Sequence, residues 1–267
     1  MKWLDRLFRH FPSNAPRAKE TSKAMASALA AAQAGDFQLA LNLWEPLARA
    51  GNARAQNNIG ACFAEALGVE RNVELALKWL TLAADGGDRV AQRNLATLWF
   101  KGEGVEPDQL HAAALYRSAA EQGDGPAQDM LSWMLLEGEG IQRDVAEARR
   151  FAVEAATQGI ASSMTRMGML YHNALGVGRD PVEAVRWWRR GAEGGDADGQ
   201  AMLGAALHLG SGIERDSIEA FVWLTRAANA GSKLAAPFFA AVRASLSAED
   251  LVEAQRRAAL LVKTGGD

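Results

Sequence analysis

At 267 residues the chain is long enough for one or two ordinary globular domains, and its formal charge of −3 is close to neutral. No sizeable block of like charge is present, which excludes the electrostatic footprint of a nucleic-acid binder. The single cysteine, Cys62, excludes an internal disulfide and a thiolate-rich zinc site within one chain, and no apolar run is long enough to span a bilayer. Together these features suit a soluble protein of the reducing cytoplasm.

The first eleven residues are interrupted too often by charge to form a signal peptide's apolar core. Trp3, Leu4, Leu7, Phe8 and Phe11 share one helical face, while Lys2, Arg6 and Arg9 lie off it. Such a segment can lie on an anionic membrane surface, dock in a partner's groove or pack back on the chain as an extra cap. Pro12–Ser22 reads as a polar linker, so residues 1–22 stand apart from the rest of the chain. Residues 23–52 then read as a helix pair: Ala26–Ala34, a tight Gly35-Asp36 turn, and Phe37–Ala50.

From residue 53 to 232 the chain repeats every thirty-six residues, five times without a gap, in rows that start at Ala53, Arg89, Gly125, Ala161 and Ala197. Each row carries a mid-row glycine (Gly68, Gly104, Gly140, Gly176, Gly212), an alanine (Ala76, Ala112, Ala148, Ala184, Ala220) and a closing glycine (Gly87, Gly123, Gly159, Gly195, Gly231). A fixed period of this size marks a stacked repeat array. Within the fourth row, Met164, Met167, Gly168 and Tyr171 recur at helical spacing, and Gly176 and Gly178 stop that helix. Asp180 is placed to cap the next helix, with Pro181 at its first position. Asn72, Asp108, Asp144 and Asp216 fill the same inner cap, and Asn52, Asp88, Asp124, Asp196 and Ser232 fill an outer one that only Ile160 breaks. Each row is therefore a helix-turn-helix. Residues 233–267 close the array with a further pair: Lys233–Ser245, then a helix opened by the Ser247-Ala248-Glu249-Asp250 capping box. The sum is about fourteen helices, an all-α solenoid.

The residues in register resemble the Sel-one-like repeat, a relative of the tetratricopeptide repeat. The fourth row gives Met167-Gly168, Tyr171, Gly176-Val177, Asp180, Ala184, Trp187-Trp188, Gly191-Ala192 and Gly195; the second gives Leu95-Ala96, Trp99, Gly104-Val105, Asp108, Ala112, Leu115-Tyr116 and Ala119-Ala120. The resemblance implies a right-handed superhelix whose concave face binds other proteins, in adaptors and scaffolds that carry no catalysis. Some secreted members staple each repeat with a cysteine pair, a pattern this chain does not share.

The conspicuous motifs fit this frame. Gly-x-Gly turns such as Gly138-Glu139-Gly140 follow helices and lack a Gly-Lys-Ser/Thr, so they read as turns and not phosphate loops. Arg186-Trp187-Trp188-Arg189-Arg190 reads as packing bulk with a solvated charged face. The four histidines are scattered, so no metal site, cofactor or catalytic constellation is expected.

Specificity is expected where the rows disagree. In the resembled fold the first helix of each pair lines the concave side. One variable row reads Ala61, Thr97, Trp133, Met169 and Ala205, and another Ala64, Phe100, Leu136, His172 and His208. Phe100, Trp133, Leu136 and Met169 form a candidate apolar patch there, with Arg93, Asp129 and Thr165 beside it as hydrogen-bonding partners; His172 and His208 complete the candidate set. These residues either touch neighbouring first helices or dock a partner's peptide or helix. The expected function is a non-enzymatic, bacterial-type scaffold, monomeric and cytoplasmic, that binds a protein or peptide partner. The rival expectation is a peripheral membrane adaptor tethered by residues 2–11.

Overall fold

The computed structural model describes residues 18–262, and among them there are fourteen helices and no strand. The amphipathic residues Trp3, Leu4, Leu7, Phe8 and Phe11 lie outside the described residues. Two compact units divide the chain, one ending at Ala127 and the other starting at Gln128. The first holds α1 (Ala18–Gln33), α2 (Phe37–Arg49), α3 (Ala53–Glu65), α4 (Val73–Asp85), α5 (Arg89–Lys101) and α6 (Gln109–Glu121). Helix α7 (Gly125–Glu137) starts in the first unit and continues in the second. The second also holds α8 (Val145–Thr157), α9 (Ala161–His172), α10 (Pro181–Glu193), α11 (Ala197–Leu209), α12 (Ser217–Asn229), α13 (Ala236–Ser245) and α14 (Ala248–Val262). In the first unit each helix packs on the next through α1–α2–α3–α4–α5–α6, and in the second α8 through α13 do the same, with α14 against α12.

The caps explain where the helices begin. Asn72, Asp108, Asp144, Asp180 and Asp216 each accept the backbone N–H three residues on, at 2.8–3.0 Å. At the outer caps Asn52, Asp88, Asp124 and Asp196 do likewise at 2.7–3.0 Å, and Ile160 makes no side-chain cap bond. Asp36 caps α2 in the same way at 3.0 Å.

The two ends depart from the sequence expectation. Helix α1 starts at Ala18, so residues 18–22 of the expected linker are helical; no breaker stands between Pro16 and Gly35, and Ala18-Lys19-Glu20 are good helix formers. Helix α13 starts at Ala236 and not Lys233, which places Pro237 in its first turn where no donor is missed. The Ser232 hydroxyl accepts the N–H of Leu234 at 3.2 Å in a turn and caps no helix. Ser247 opens α14 as expected, accepting the N–H of Asp250 at 3.0 Å.

Within each row the two helices meet at one small residue. The eighth residue of the row (Gly60, Ala96, Ser132, Gly168, Gly204) and the twenty-eighth (Leu80, Tyr116, Ala152, Trp188, Leu224) are all buried, and in the first, fourth and fifth rows the eighth, a glycine, faces the twenty-eighth. A Cβ on Gly60 or Gly204 would stand 2.8 Å from the Cγ of Leu80 or Leu224, and one on Gly168 would collide with the Trp188 ring and the Ala184 carbonyl. Glycine is needed there for space, not for its backbone freedom. Between rows, Gln56 and Gln200 donate side-chain N–H groups to the Ala48 and Ala192 carbonyls at 3.0 and 3.3 Å, tying a first helix to the end of the preceding second helix.

Gly168→Ala is expected to cost about 1–3 kcal/mol by overpacking, despite alanine's better helix propensity. Urea unfolding of the two proteins measures it; equal stability would remove the close contact from the account.

Candidate functional site

The first-helix face of the first unit carries a cleft. It lies between α3 and α5 and has a volume of about 210 Å³. Ala61 and Ala64 on α3, Asn94, Thr97 and Leu98 on α5, and the buried Leu80 of α4 line it, with Glu65 and Lys101 among the charged lining residues. The cleft follows from side-chain size: where α3 has Ala61 and Ala64, the second unit has Trp133 and Leu136 on α7 and Met169 and His172 on α9 at the same repeat positions. A volume below the roughly 300–1,000 Å³ of small-molecule sites suits a single anchoring side chain better than a cofactor.

Polar groups on the same helices are taken up by the stacking itself. Arg93, half-buried on α5, donates through one terminal nitrogen to both carboxylate oxygens of Asp124 at 3.1 and 3.0 Å. Thr97 shares a 2.9 Å hydrogen bond with the Tyr116 hydroxyl and donates to the Arg93 carbonyl. Asn94 donates to Asn57 at 3.0 Å. In the second unit Thr165 donates to the cap carboxylate of Asp196 at 2.7 Å. Arg93 and Thr165 thus reach from one row to the acid that caps the next.

Asp129 inverts that arrangement. The cap of the following row is Ile160, which offers no side-chain acceptor, and the acid stands on α7 instead. Its carboxylate accepts from Ser162 at 2.9 Å, from Arg166 at 2.6 Å and from Ser163 at 2.5 Å, all in the first turns of α9. Burial pushes the Asp129 carboxyl up, but the Arg166 charge and the bonds from Ser163, Arg166 and Ser162 outweigh it and hold it below the ordinary carboxylate range.

The apolar candidates divide by burial. Leu136 is only 6% exposed and belongs to the core of the second unit. Phe100, Trp133, Met169, His172 and His208 are half-buried, Phe100 in the first unit and the others in the second. The His172 ring lies 5.3 Å from that of Trp188, and the Nδ1 atoms of His172 and His208 are buried without a hydrogen-bond partner. Among the described residues no three His, Cys, Asp or Glu side chains gather as metal ligands. Cys62 is buried, and burial, reinforced by the nearby Glu65 charge, pushes its thiol up to about 11, far from a reactive thiolate. No described helix is long and apolar enough to cross a membrane.

The sequence of each row also matches a known family model, Sel1 repeat, over residues 53–88, 89–124, 125–160, 161–196 and 197–232. The chain belongs to the Sel1 repeat family. Sel1 repeat proteins are typically non-catalytic scaffolds that bind protein partners. Among solved structures, a Sel1 repeat protein from Oxalobacter formigenes is 31% identical with a TM-score of 0.77, over 81% of this chain and 86% of that one. A protective antigen of uropathogenic Escherichia coli strains, which displays the same repeat fold, is 26% identical with a TM-score of 0.72, over 92% of this chain. The match spans 57% of that antigen's length. No curated protein matches the chain. The sequence expectation of an all-α solenoid of helix pairs agrees with these relatives and with the fourteen helices.

Asp129→Asn is expected to lower stability at neutral pH by roughly 2–3 kcal/mol, the worth of charge-assisted bonds to a partly buried acid. The Asp129 carboxyl is held low in the folded state, so its contribution is complete above the ordinary carboxylate range and is lost as pH falls through its depressed value. Urea unfolding of both proteins from pH 7 to pH 3 checks this; a gap that fails to narrow on acidification contradicts it.

Proposed function

We propose that this protein is a non-enzymatic, cytoplasmic scaffold, monomeric by itself, that binds a segment of a partner protein on the first-helix faces of its repeats. The observation that carries the reading is the α3–α5 cleft, which opens where Ala61 and Ala64 stand at repeat positions that the third and fourth rows fill with Trp133, Leu136, Met169 and His172. Glu65 and Lys101 give that cleft charged groups beside an apolar floor of Leu80 and Leu98, while Asn94 and Thr97, bonded within the array, complete its wall. Binding sites of this kind take an anchoring side chain in a preformed pocket and use the surrounding polar groups for orientation. The half-buried Phe100, Trp133, Met169, His172 and His208 stand at the repeat positions of Ala61, Ala64 and Thr97, and they extend the docking surface along each unit's own first helices. A framework pre-ordered by caps and packing leaves most of the ordering entropy to the partner, so affinity depends on a few anchors.

The second reading is membrane tethering through residues 2–11. It is favoured by the sequence pattern that places Trp3, Leu4, Leu7, Phe8 and Phe11 on one helical face with basic residues off it. Co-sedimentation with anionic liposomes of the full chain and of a chain lacking residues 2–11 decides it, since equal binding removes the tether.

Ala61→Trp is expected to fill the cleft and reduce retention of a partner isolated with the wild-type protein at least tenfold, with the melting temperature unchanged within a few degrees. Trp133→Ala is expected to weaken the same partner if its contact extends into the second unit. Quantitative pull-down with both variants tests the docking face, and undiminished retention by Ala61→Trp rejects the cleft as the anchor.

A further inference from the structure

One position breaks the apolar rule of the second helices. At thirty-six-residue spacing the chain carries Leu41, Leu77, Ala113, Arg149, Val185 and Phe221. Leu41, Ala113 and Val185 are buried and Leu77 and Phe221 half-buried, as a packing position requires. Arg149, on α8, is also half-buried, yet its Nε is shielded from solvent and has no hydrogen-bond partner. It makes no ion pair among the described residues, although the adjacent Arg150 is held by Glu147 at 3.4 Å and Glu154 at 3.2 Å. Beside it opens a shallow groove of about 350 Å³, lined by Ala146, Arg149, Arg150, Val153 and Glu154.

A guanidinium offers five donors in a rigid fork, and a buried donor left unmade is a net cost to the fold. An arginine in a row of hydrocarbon side chains therefore weakens the free protein, a pattern expected where a residue serves binding and not packing. The stem can cover apolar surface, but a leucine or valine does that without an orphaned N–H.

We propose that Arg149 anchors a carboxylate of a partner protein, an aspartate or glutamate side chain flanked by apolar residues, on the second-helix face of the second unit. The charges favour that chemistry. Glu147 and Glu154 are both engaged with Arg150, so Arg149 is the cation of this groove that has no ion pair, and one carboxylate suits the terminal nitrogens of its guanidinium. A phosphate dianion would meet the same two glutamates with a single guanidinium of this cluster to receive it. Ala146 and Val153 give the aliphatic neighbours of the acid a place to rest. This site is separate from the α3–α5 cleft and stands whether or not that cleft binds a partner.

The test is an NMR titration of the full chain that follows the Arg149 Nε–H signal, assigned by its disappearance in Arg149→Lys. Acetyl-Leu-Glu-Leu-amide is expected to shift the signal saturably, with acetyl-Leu-Gln-Leu-amide and inorganic phosphate at least tenfold weaker. Arg149→Leu is expected to abolish the peptide's effects on neighbouring α8 amides while keeping or raising the melting temperature, and Ala61→Trp to leave the titration unchanged. No saturable shift, equal response to the glutamine peptide, or phosphate binding as tight as the glutamate peptide would each overturn the proposal. So would an Arg149→Leu protein that melts several degrees lower, because the arginine would then be part of the packing.

Discussion

Everything in a row depends on how closely its two helices approach at the eighth and twenty-eighth residues. Where the first is glycine the second is large, as in Gly60 with Leu80 and Gly168 with Trp188; where the second is Ala152, the first can be Ser132, whose hydroxyl donates to the Ala148 carbonyl at 2.7 Å. A small residue on the first helix leaves room for the second helix to approach, and in the glycine rows a large side chain fills that room, as a core packed to crystalline density requires. With the helix pair fixed in this way, the remaining faces of the first helix are released from holding the row together. Those faces are the ones on which sequence can vary freely, and the cleft beside Ala61 and Ala64 is what that freedom produces in the first unit.

A second layer of constraint joins row to row, and it is polar. Arg93 with Asp124, Thr165 with Asp196 and Asp129 with Ser162, Ser163 and Arg166 all cross from a first helix to the start of the next one in the same unit. Asp124 and Asp196 also cap a helix, and Asp129 meets side-chain donors at the start of α9, so each acid sits by a helix N-terminus where the dipole favours negative charge. Polar ties of this kind fix register, whereas apolar contact alone would tolerate sliding. They also engage Arg93, Asp124, Asp129 and Arg166, so these charges on the first helices are taken up within the array.

The period, the caps and the fourteen helices were legible because each is a local rule written several times over. Asp180 caps α10 ahead of Pro181, and the four other rows repeat the cap with Asn72, Asp108, Asp144 and Asp216. The helix ends at Ala18 and Ala236 were less legible, since no repeated signal marks them and the nearest proline decides. The role of Asp129 was hidden for a different reason. An aspartate beside a candidate patch reads as a free hydrogen-bonding group, and only its distance to Ser163 and Arg166 thirty-odd residues on shows that it is engaged. The missing cap at Ile160 was the one available hint, because a helix start without an acceptor calls for an acid from elsewhere. The α3–α5 cleft was half legible: the alanines were visible, but a void is a property of what surrounds them.

The inverted tie at Asp129 also bears on how such an array can change over generations. Tandem repeats lend themselves to loss or duplication of whole rows, and the capping side chain recurs in phase at Asn52, Asp88, Asp124 and Asp196. The junction at Ile160 breaks that phase. Excising residues 161–196 would place Asp198 where Ser162 stands and Met202 where Arg166 stands, so Asp129 would lose its cation and face a second acid. The third and fourth rows are thereby matched to each other, and a chain that looks freely modular has a seam where removing the fourth row would cost a partly buried acid its partners.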